Sequence, residues 1–355
     1  MKEIILNSPS VAEIGRTCVK DGILYLVMSA SGCGFMFTGK KLTIDIGCDS
    51  DSLNDGHECN FPRMAILING RTAVKKVISS RRESFCIVDS EVPVTVEIRI
   101  IKLSEAAYSI AEVYPAITDD GAEIVPSDES GFCIEFIGDS ITCGYGVDDA
   151  NIDSLFSSCA ENAMKSYSYL TAEILGARYS MFSASGFGVV SGYTDDGTIH
   201  PDEVIPLYYE SLGFSFSQIA GERTQDIKWD FGRFVPQLIV INLGTNDWSF
   251  CKNDLHRVAE FEERYLKFLE IVRKNNPDAE ILCVLGIMGT ELFPAIERVC
   301  RRFGDDHVRF FEQRRQDGTL GYSCNCHPSE DTHRQRAEEL CEFIKNTYPQ
   351  LVGQQ

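Results

Sequence analysis

Apolar and polar residues alternate along the first third of the chain. The clearest run is Val94, Val96, Ile98 and Ile100 with Thr95, Glu97 and Arg99 between them, a period of two that predicts a half-buried strand. Ile23 to Met28, Leu42 to Ile46 and Met64 to Ile68 read the same way, and Asn69-Gly70 after the last supplies the positive φ angles of a tight hairpin turn. An all-β sandwich is the economical architecture for residues 1–117.

From Phe132 onward the period changes. Short apolar runs suited to buried parallel strands occur at Cys133 to Ile137, Ala177 to Phe182, Leu238 to Leu243, Ile281 to Leu285 and Val308 to Phe311. Between and after them lie segments of helical spacing, near Glu161 to Leu175, Ile205 to Leu212, Leu255 to Lys274, Phe293 to Phe303 and His333 to Thr347. Right-handed crossovers then predict an α/β domain over residues 132–355, a doubly wound, flavodoxin-like parallel sheet of five strands. Two helical stripes, Tyr167, Leu170, Ile174 and Leu175 in one and Phe261, Tyr265, Phe268 and Leu269 in the other, read as core faces. The acidic, turn-rich segment 118–131 reads as a linker, and 355 residues suit two hydrophobic cores better than one.

Composition narrows the class of partner. A formal charge of −20 disfavours nucleic acid, whose phosphates require concentrated Lys and Arg, so a neutral substrate fits better. The first residues, MKEIILNSPSVAEIGR, lack an apolar signal region, and no later stretch has the length of a membrane span. These features predict a cytoplasmic protein with no membrane partner, and its 14 scattered cysteines read as reduced, mostly buried thiols. The oligomeric state is not legible.

In a doubly wound sheet the ligand site lies beyond the carboxyl ends of the strands. There the first strand runs into Gly138-Asp139-Ser140, the second into Ser185-Gly186-Phe187-Gly188, and the third into Gly244-Thr245-Asn246-Asp247. Ester hydrolysis needs a hydroxyl nucleophile, a base and donors aimed at the developing oxyanion. Ser140 supplies the nucleophile; its own N–H, the N–H of Gly186 and the side-chain amide of Asn246 are candidate oxyanion donors. Of six histidines, His327 follows the last strand and precedes Pro328, where a loop brings it over the same edge. His333, at the start of a helical segment, suits a surface or capping role.

Gly138-Asp139-Ser140, Gly186, Gly244-x-Asn246-Asp247 and His327-Pro328 resemble, in order and spacing, the four sequence blocks of SGNH (GDSL-type) hydrolases. Lys102-Leu103-Ser104-Glu105, the stretch Ile137 to Gly146, and Trp229-Asp230-Phe231 leading into Ile241 to Gly244 are similar to carbohydrate esterase family 2. That resemblance implies a jelly-roll-like sandwich joined to an SGNH domain, with removal of acetyl groups, commonly 6-O, from xylan-, mannan- or glucose-type saccharides. It also implies Ser140 as nucleophile, His327 as base, Gly186 and Asn246 as oxyanion donors, and no metal or organic cofactor.

One position departs from the pattern. The family usually carries Asp two residues before the histidine, and here Asn325 stands there. In a serine protease, replacing the orienting Asp by Asn costs about 10⁴ in turnover. An Asn carbonyl or a main-chain carbonyl can still accept the Nδ1–H bond, so a Ser140–His327 dyad oriented at Asn325 is expected.

Other residues have plainer readings. Asp139 and Asp247 suit local hydrogen bonds in strand-end turns, Cys143 suits a packed thiol, and Cys324, Cys326, His327 and His333 lack paired zinc-site spacing. Trp248 is the best placed aromatic for stacking on a sugar; Tyr145, Phe187 and Tyr193 are weaker candidates. The expected function is a serine O-acetyl esterase acting on short acetylated xylo-, manno- or gluco-oligosaccharides. A carbohydrate-binding protein with weakened catalysis, or an SGNH esterase or thioesterase acting on another ester, is the alternative.

Overall fold

The structure is a computed structural model, and it describes residues 1–49, 52, 60–128 and 130–352. The chain forms two compact units.

The first unit comprises residues 1–130, 157–161 and 211–229. It is a β-sandwich of antiparallel strands organised on two long ones, Gly32–Cys48 and Glu83–Lys102, which pair along most of their length. Its core holds Phe35, Phe37, Leu42, Ile44 and Ile46 from the first long strand and Ile98 and Ile100 from the second. Alternation in the sequence therefore marks the buried face correctly. The hairpin at Asn69-Gly70 also forms, between Arg63–Ile68 and Arg71–Val77, with φ of 50° and 73° at the two turn residues.

The segment read as a linker is partly strand. Ala116–Thr118 and Glu123–Pro126 both pair antiparallel with Gly32–Cys48, because this strand has open backbone groups on the side away from Glu83–Lys102. Two later segments also belong with the sandwich. Buried Arg16 donates to the Ser211 carbonyl at 2.6 Å, Phe216 N–H donates to Ala107 O at 2.8 Å, and Arg63 donates to Glu161 O at 2.7 Å. The helix expected at Ile205 to Leu212 is consequently one 3-10 turn, Ile205–Leu207, before the chain leaves for the sandwich.

In the second unit the five expected parallel strands form: β1 (Cys133–Gly138), β2 (Arg178–Ser183), β3 (Leu238–Asn242), β4 (Glu280–Ile287) and β5 (Val308–Arg315). Their order, β2-β1-β3-β4-β5, is the flavodoxin-like order. The order reverses direction between β1 and β3, the switch point beyond whose strand carboxyl ends ligand sites form in sheets of this kind.

The helices are α1 (Ser140–Cys143), α2 (Tyr167–Leu175), α3 (Thr245–Cys251), α4 (Leu255–Asn275), α5 (Phe293–Phe303) and α6 (Glu330–Thr347). Asp254 caps α4 through the N–H groups of His256 and Arg257, and Phe261, Tyr265, Phe268 and Leu269 are fully buried, as their spacing predicts. The stripe predicted for α2 is only half right. Ile174 is 45% exposed, whereas small polar Ser168 and Thr171 are buried with Tyr167, Ala172 and Leu175. Ser168 donates to the Thr142 carbonyl, so this face is packed through hydrogen bonds that hydrophobic periodicity does not register.

Candidate active site

Ser140 is the first residue of α1, directly after β1. Asp139 caps this single turn by accepting from the Ile141 N–H at 3.0 Å, and Gly144 ends it in the left-handed region with φ 75°. As the first helical residue, Ser140 has an N–H that points away from the turn. Neither this N–H nor that of Gly186, in the loop after β2, makes a hydrogen bond among the described residues. Gly186 has φ 80°, a conformation that a side chain would strain.

His327 arrives from the other end of the sheet, on the loop between β5 and α6. His327 Nε2 lies 2.9 Å from Ser140 Oγ, and Nδ1 lies 3.2 Å from the main-chain carbonyl oxygen of Asn325. Two consecutive left-handed residues, Asn325 with φ 53° and Cys326 with φ 58°, create this geometry. They fold the carbonyl back toward the ring two residues later. Backbone bonds secure the loop: Cys324 N–H donates to Asp149 O at 2.8 Å, Asn325 N–H to Ile152 O at 3.1 Å, and His327 N–H to Cys324 O at 3.1 Å. Cys324 is fully buried, and a Cβ on Gly146 would come within 2.4 Å of its Cβ.

Burial is the largest influence on His327. It pushes the imidazole pKa down to about 4, against the opposing carbonyl bond from Asn325. The ring is therefore neutral through the ordinary pH range and ready to accept a proton. Tyr145 stacks on it with ring centroids 4.1 Å apart and planes inclined by 26°.

Asn246, near the start of α3, joins two of the other loops. Its Nδ2 donates to the Phe187 carbonyl at 2.8 Å and to Asp139 Oδ2 at 3.3 Å. One amide thus ties the residue before Ser140 to the residue after Gly186. Asp247 is fully buried and accepts from the N–H groups of Val189, Val190 and Ser191, at 2.7 Å for Val190. Its role is structural, as expected, yet its partners lie more than fifty residues away rather than in its own turn. Burial raises Asp139 to about 7 and Asp247 to about 6.

The expected aromatic candidates divide. Trp248 is half-buried, and Tyr193, 55% exposed, donates its N–H to the Gly186 carbonyl at 2.8 Å. Tyr145 and Phe187 are buried, one against the His327 ring and the other holding Asn246 through its carbonyl. Cys143 is buried with its thiol 3.2 Å from Ser183 Oγ, a packed thiol as read. His333 departs from its surface or capping assignment in an instructive way. Helix α6 begins at Glu330 with Ser329 as its cap, so His333 lies one turn inside it and is fully buried. It does cap a helix, but a different one: Nδ1 accepts from the Tyr167 N–H at the start of α2, at 3.0 Å.

The parallel sheet thus carries a serine after its first strand and, past its last, a histidine hydrogen-bonded to that serine. The chain belongs to the GDSL-like Lipase/Acylhydrolase family, whose model matches residues 136–335. It is 38% identical over 221 residues to the cellulase/esterase CelE of Acetivibrio thermocellus, covering 60% of this chain and 25% of CelE. The chain therefore spans about a quarter of that relative's length. An acetylxylan esterase / glucomannan deacetylase of Cellvibrio japonicus is 29% identical over 255 residues, covering 68% of this chain and 67% of that one. A family two carbohydrate esterase from Clostridium thermocellum, solved in complex with cellohexaose, matches with a TM-score of 0.80 at 28% identity, over 96% of this chain and 99% of that chain.

Proposed function

We propose that the protein is a carbohydrate O-acetyl esterase that uses a Ser140–His327 dyad. The observation that carries this reading is the 2.9 Å contact between His327 Nε2 and Ser140 Oγ, with Nδ1 held on the Asn325 carbonyl. That carbonyl favours the tautomer with hydrogen on Nδ1, which leaves Nε2 as the acceptor facing the serine hydroxyl.

The steps follow from this arrangement. Ser140 Oγ attacks the acetyl carbonyl carbon while its proton moves to His327 Nε2. The resulting oxyanion is received by the N–H groups of Ser140 and Gly186 and by Asn246 Nδ2. As the tetrahedral intermediate collapses, the imidazolium returns the proton to the departing sugar oxygen, leaving an acetyl-serine. Water, deprotonated by the same imidazole, then attacks the acetyl carbon; the bond to Ser140 Oγ breaks, the imidazolium returns the proton to Oγ, and acetate leaves.

The choice of saccharide esters is supported by the esterase and deacetylase relatives and by the cellohexaose complex of a structural neighbour. Within that choice, short xylo-, manno- or gluco-oligosaccharides acetylated at the 6-position are the proposed substrates, with Trp248 as the stacking surface. Cytoplasmic action belongs to the same proposal; the thirteen free thiols among the described cysteines are compatible with it, and cell fractionation tests it.

The experiment is acetate release from acetylated xylo-, manno- and gluco-oligosaccharides beside an aryl acetate. Wild-type enzyme should deacetylate at least one saccharide, and Ser140→Ala should lose activity on all by about 10³-fold or more. Wild-type rates in Ser140→Ala would refute the dyad, and hydrolysis of long-chain acyl esters alone would move the substrate class to lipids or thioesters.

A further inference from the structure

Asp139 makes more hydrogen bonds than its helix cap requires. The side chain is 1% exposed, with Oδ1 accepting from the Ile141 N–H and Oδ2 from Asn246 Nδ2. Capping needs a single acceptor, and Asn or Ser serves as well as Asp. A buried carboxylate also bears a desolvation cost that a neutral cap avoids. The second oxygen calls for another explanation.

The Asn246 amide supplies one. Rotation about its terminal sp³–sp² bond is broad and roughly two-fold, so sterics alone hold it weakly. Here Nδ2 donates both to the Phe187 carbonyl and to Asp139 Oδ2. A flipped amide would turn its own oxygen toward both acceptors and, in the reaction, toward the oxyanion. With the two acceptors in place, only the donor-forward orientation is favourable.

We propose that Asp139 is a positioning residue for ester hydrolysis: through Oδ2 it ties the Asn246 amide to the nucleophile's loop with Nδ2, not the amide oxygen, turned toward the oxyanion. The inference rests on the esterase reading above. At 3.3 Å the contact to Asp139 is a long one, and the developing oxyanion competes for that N–H without the amide having to rotate. Such pre-orientation matters most in the transition state, so its loss falls on kcat rather than KM.

The test is a double-mutant cycle. Asp139→Asn and Asp139→Ser each keep a cap acceptor and remove the second carboxylate oxygen. Each should lower kcat on an acetylated oligosaccharide by about 10- to 100-fold with KM little changed. In an Asn246→Ala background, Asp139→Asn should lower kcat by less than about threefold, because the amide it positions is gone. Folded active sites are counted by organophosphonate labelling of Ser140, so a partly unfolded variant still gives a kcat per site. Independent, multiplying losses in the cycle, or wild-type kcat in both Asp139 variants, would overturn the proposal. Ser140→Ala run alongside separates the failures. If it is inactive while the Asp139 variants match wild type, only the positioning role falls; if it retains full activity, the esterase reading falls as well.

Discussion

His327 Nδ1 meets the main-chain carbonyl oxygen of Asn325 at 3.2 Å, two residues back along the same loop. A carbonyl fixes the ring and its tautomer as a carboxylate would, yet it brings no full negative charge to the imidazolium. Burial then dominates and holds the imidazole pKa at about 4.

The pH dependence of kcat/KM should reflect that value. The base works only when neutral, so activity should hold from neutral pH down to about 5 and fall as pH drops through about 4. Asn325→Asp, a residue that also tolerates the left-handed region, adds a negative charge beside the ring and should move this acid limb to higher pH. A pH profile of both proteins checks the shift, and an unmoved limb would contradict the assigned orientation.

Gly146→Ala should impair catalysis from a distance. The new methyl would lie 2.4 Å from Cys324 Cβ, and Cys324 begins the turn that sets His327. A displacement of about 1 Å at the base can cost about 10²-fold, so kcat/KM should fall by that order. Cys324→Gly in the same chain removes the clash and should restore part of the activity.

Tyr145→Ala removes the ring stacked on His327 while leaving the hydrogen bonds of the dyad intact. A loosened imidazole should reduce kcat by about tenfold, with KM for saccharides nearly constant. A large rise in KM instead would return Tyr145 to the substrate-contact role expected from the sequence.

His333→Leu tests the buried cap. Losing the acceptor for the Tyr167 N–H should destabilise the fold by about 1–3 kcal/mol at pH 7. Burial lowers the folded pKa of His333 from 6.5 to about 3, so unfolded chains take up a proton that the native state refuses. The stability His333 contributes is thus present above pH 6.5 and lost as pH falls toward 3. Urea unfolding at pH 7 and pH 4.5 should show the gap between variant and wild type narrowing at the lower pH.

Much of the fold is legible in the sequence. Sheet strands and long helices followed from periodicity, because fully buried parallel strands such as Leu238–Asn242 admit almost no polar residue. The pattern is silent where burial is achieved by hydrogen bonding or by distant chain. The 123–126 strand satisfies another strand's open edge, Ser168 and Thr171 are buried as polar residues, and the 211–229 excursion leaves one unit for the other. None of these has a local hydrophobic signature.

At the site, the sequence by itself determined which chemical groups are available and in what order: a serine after the first strand, Gly186 and Asn246 after the next two, a histidine after the last. Strand ends are dictated by local pattern, and the sheet brings them to one edge. Only the tertiary structure decided what surrounds those groups. That Asn325 acts through its backbone depends on two left-handed residues in succession, and that Tyr145 backs the imidazole while Asp139 reaches Asn246 depends on contacts across 182 and 107 positions of chain. Such contacts are fixed by packing of the whole domain, and hydrophobic period and motif spacing carry no trace of them.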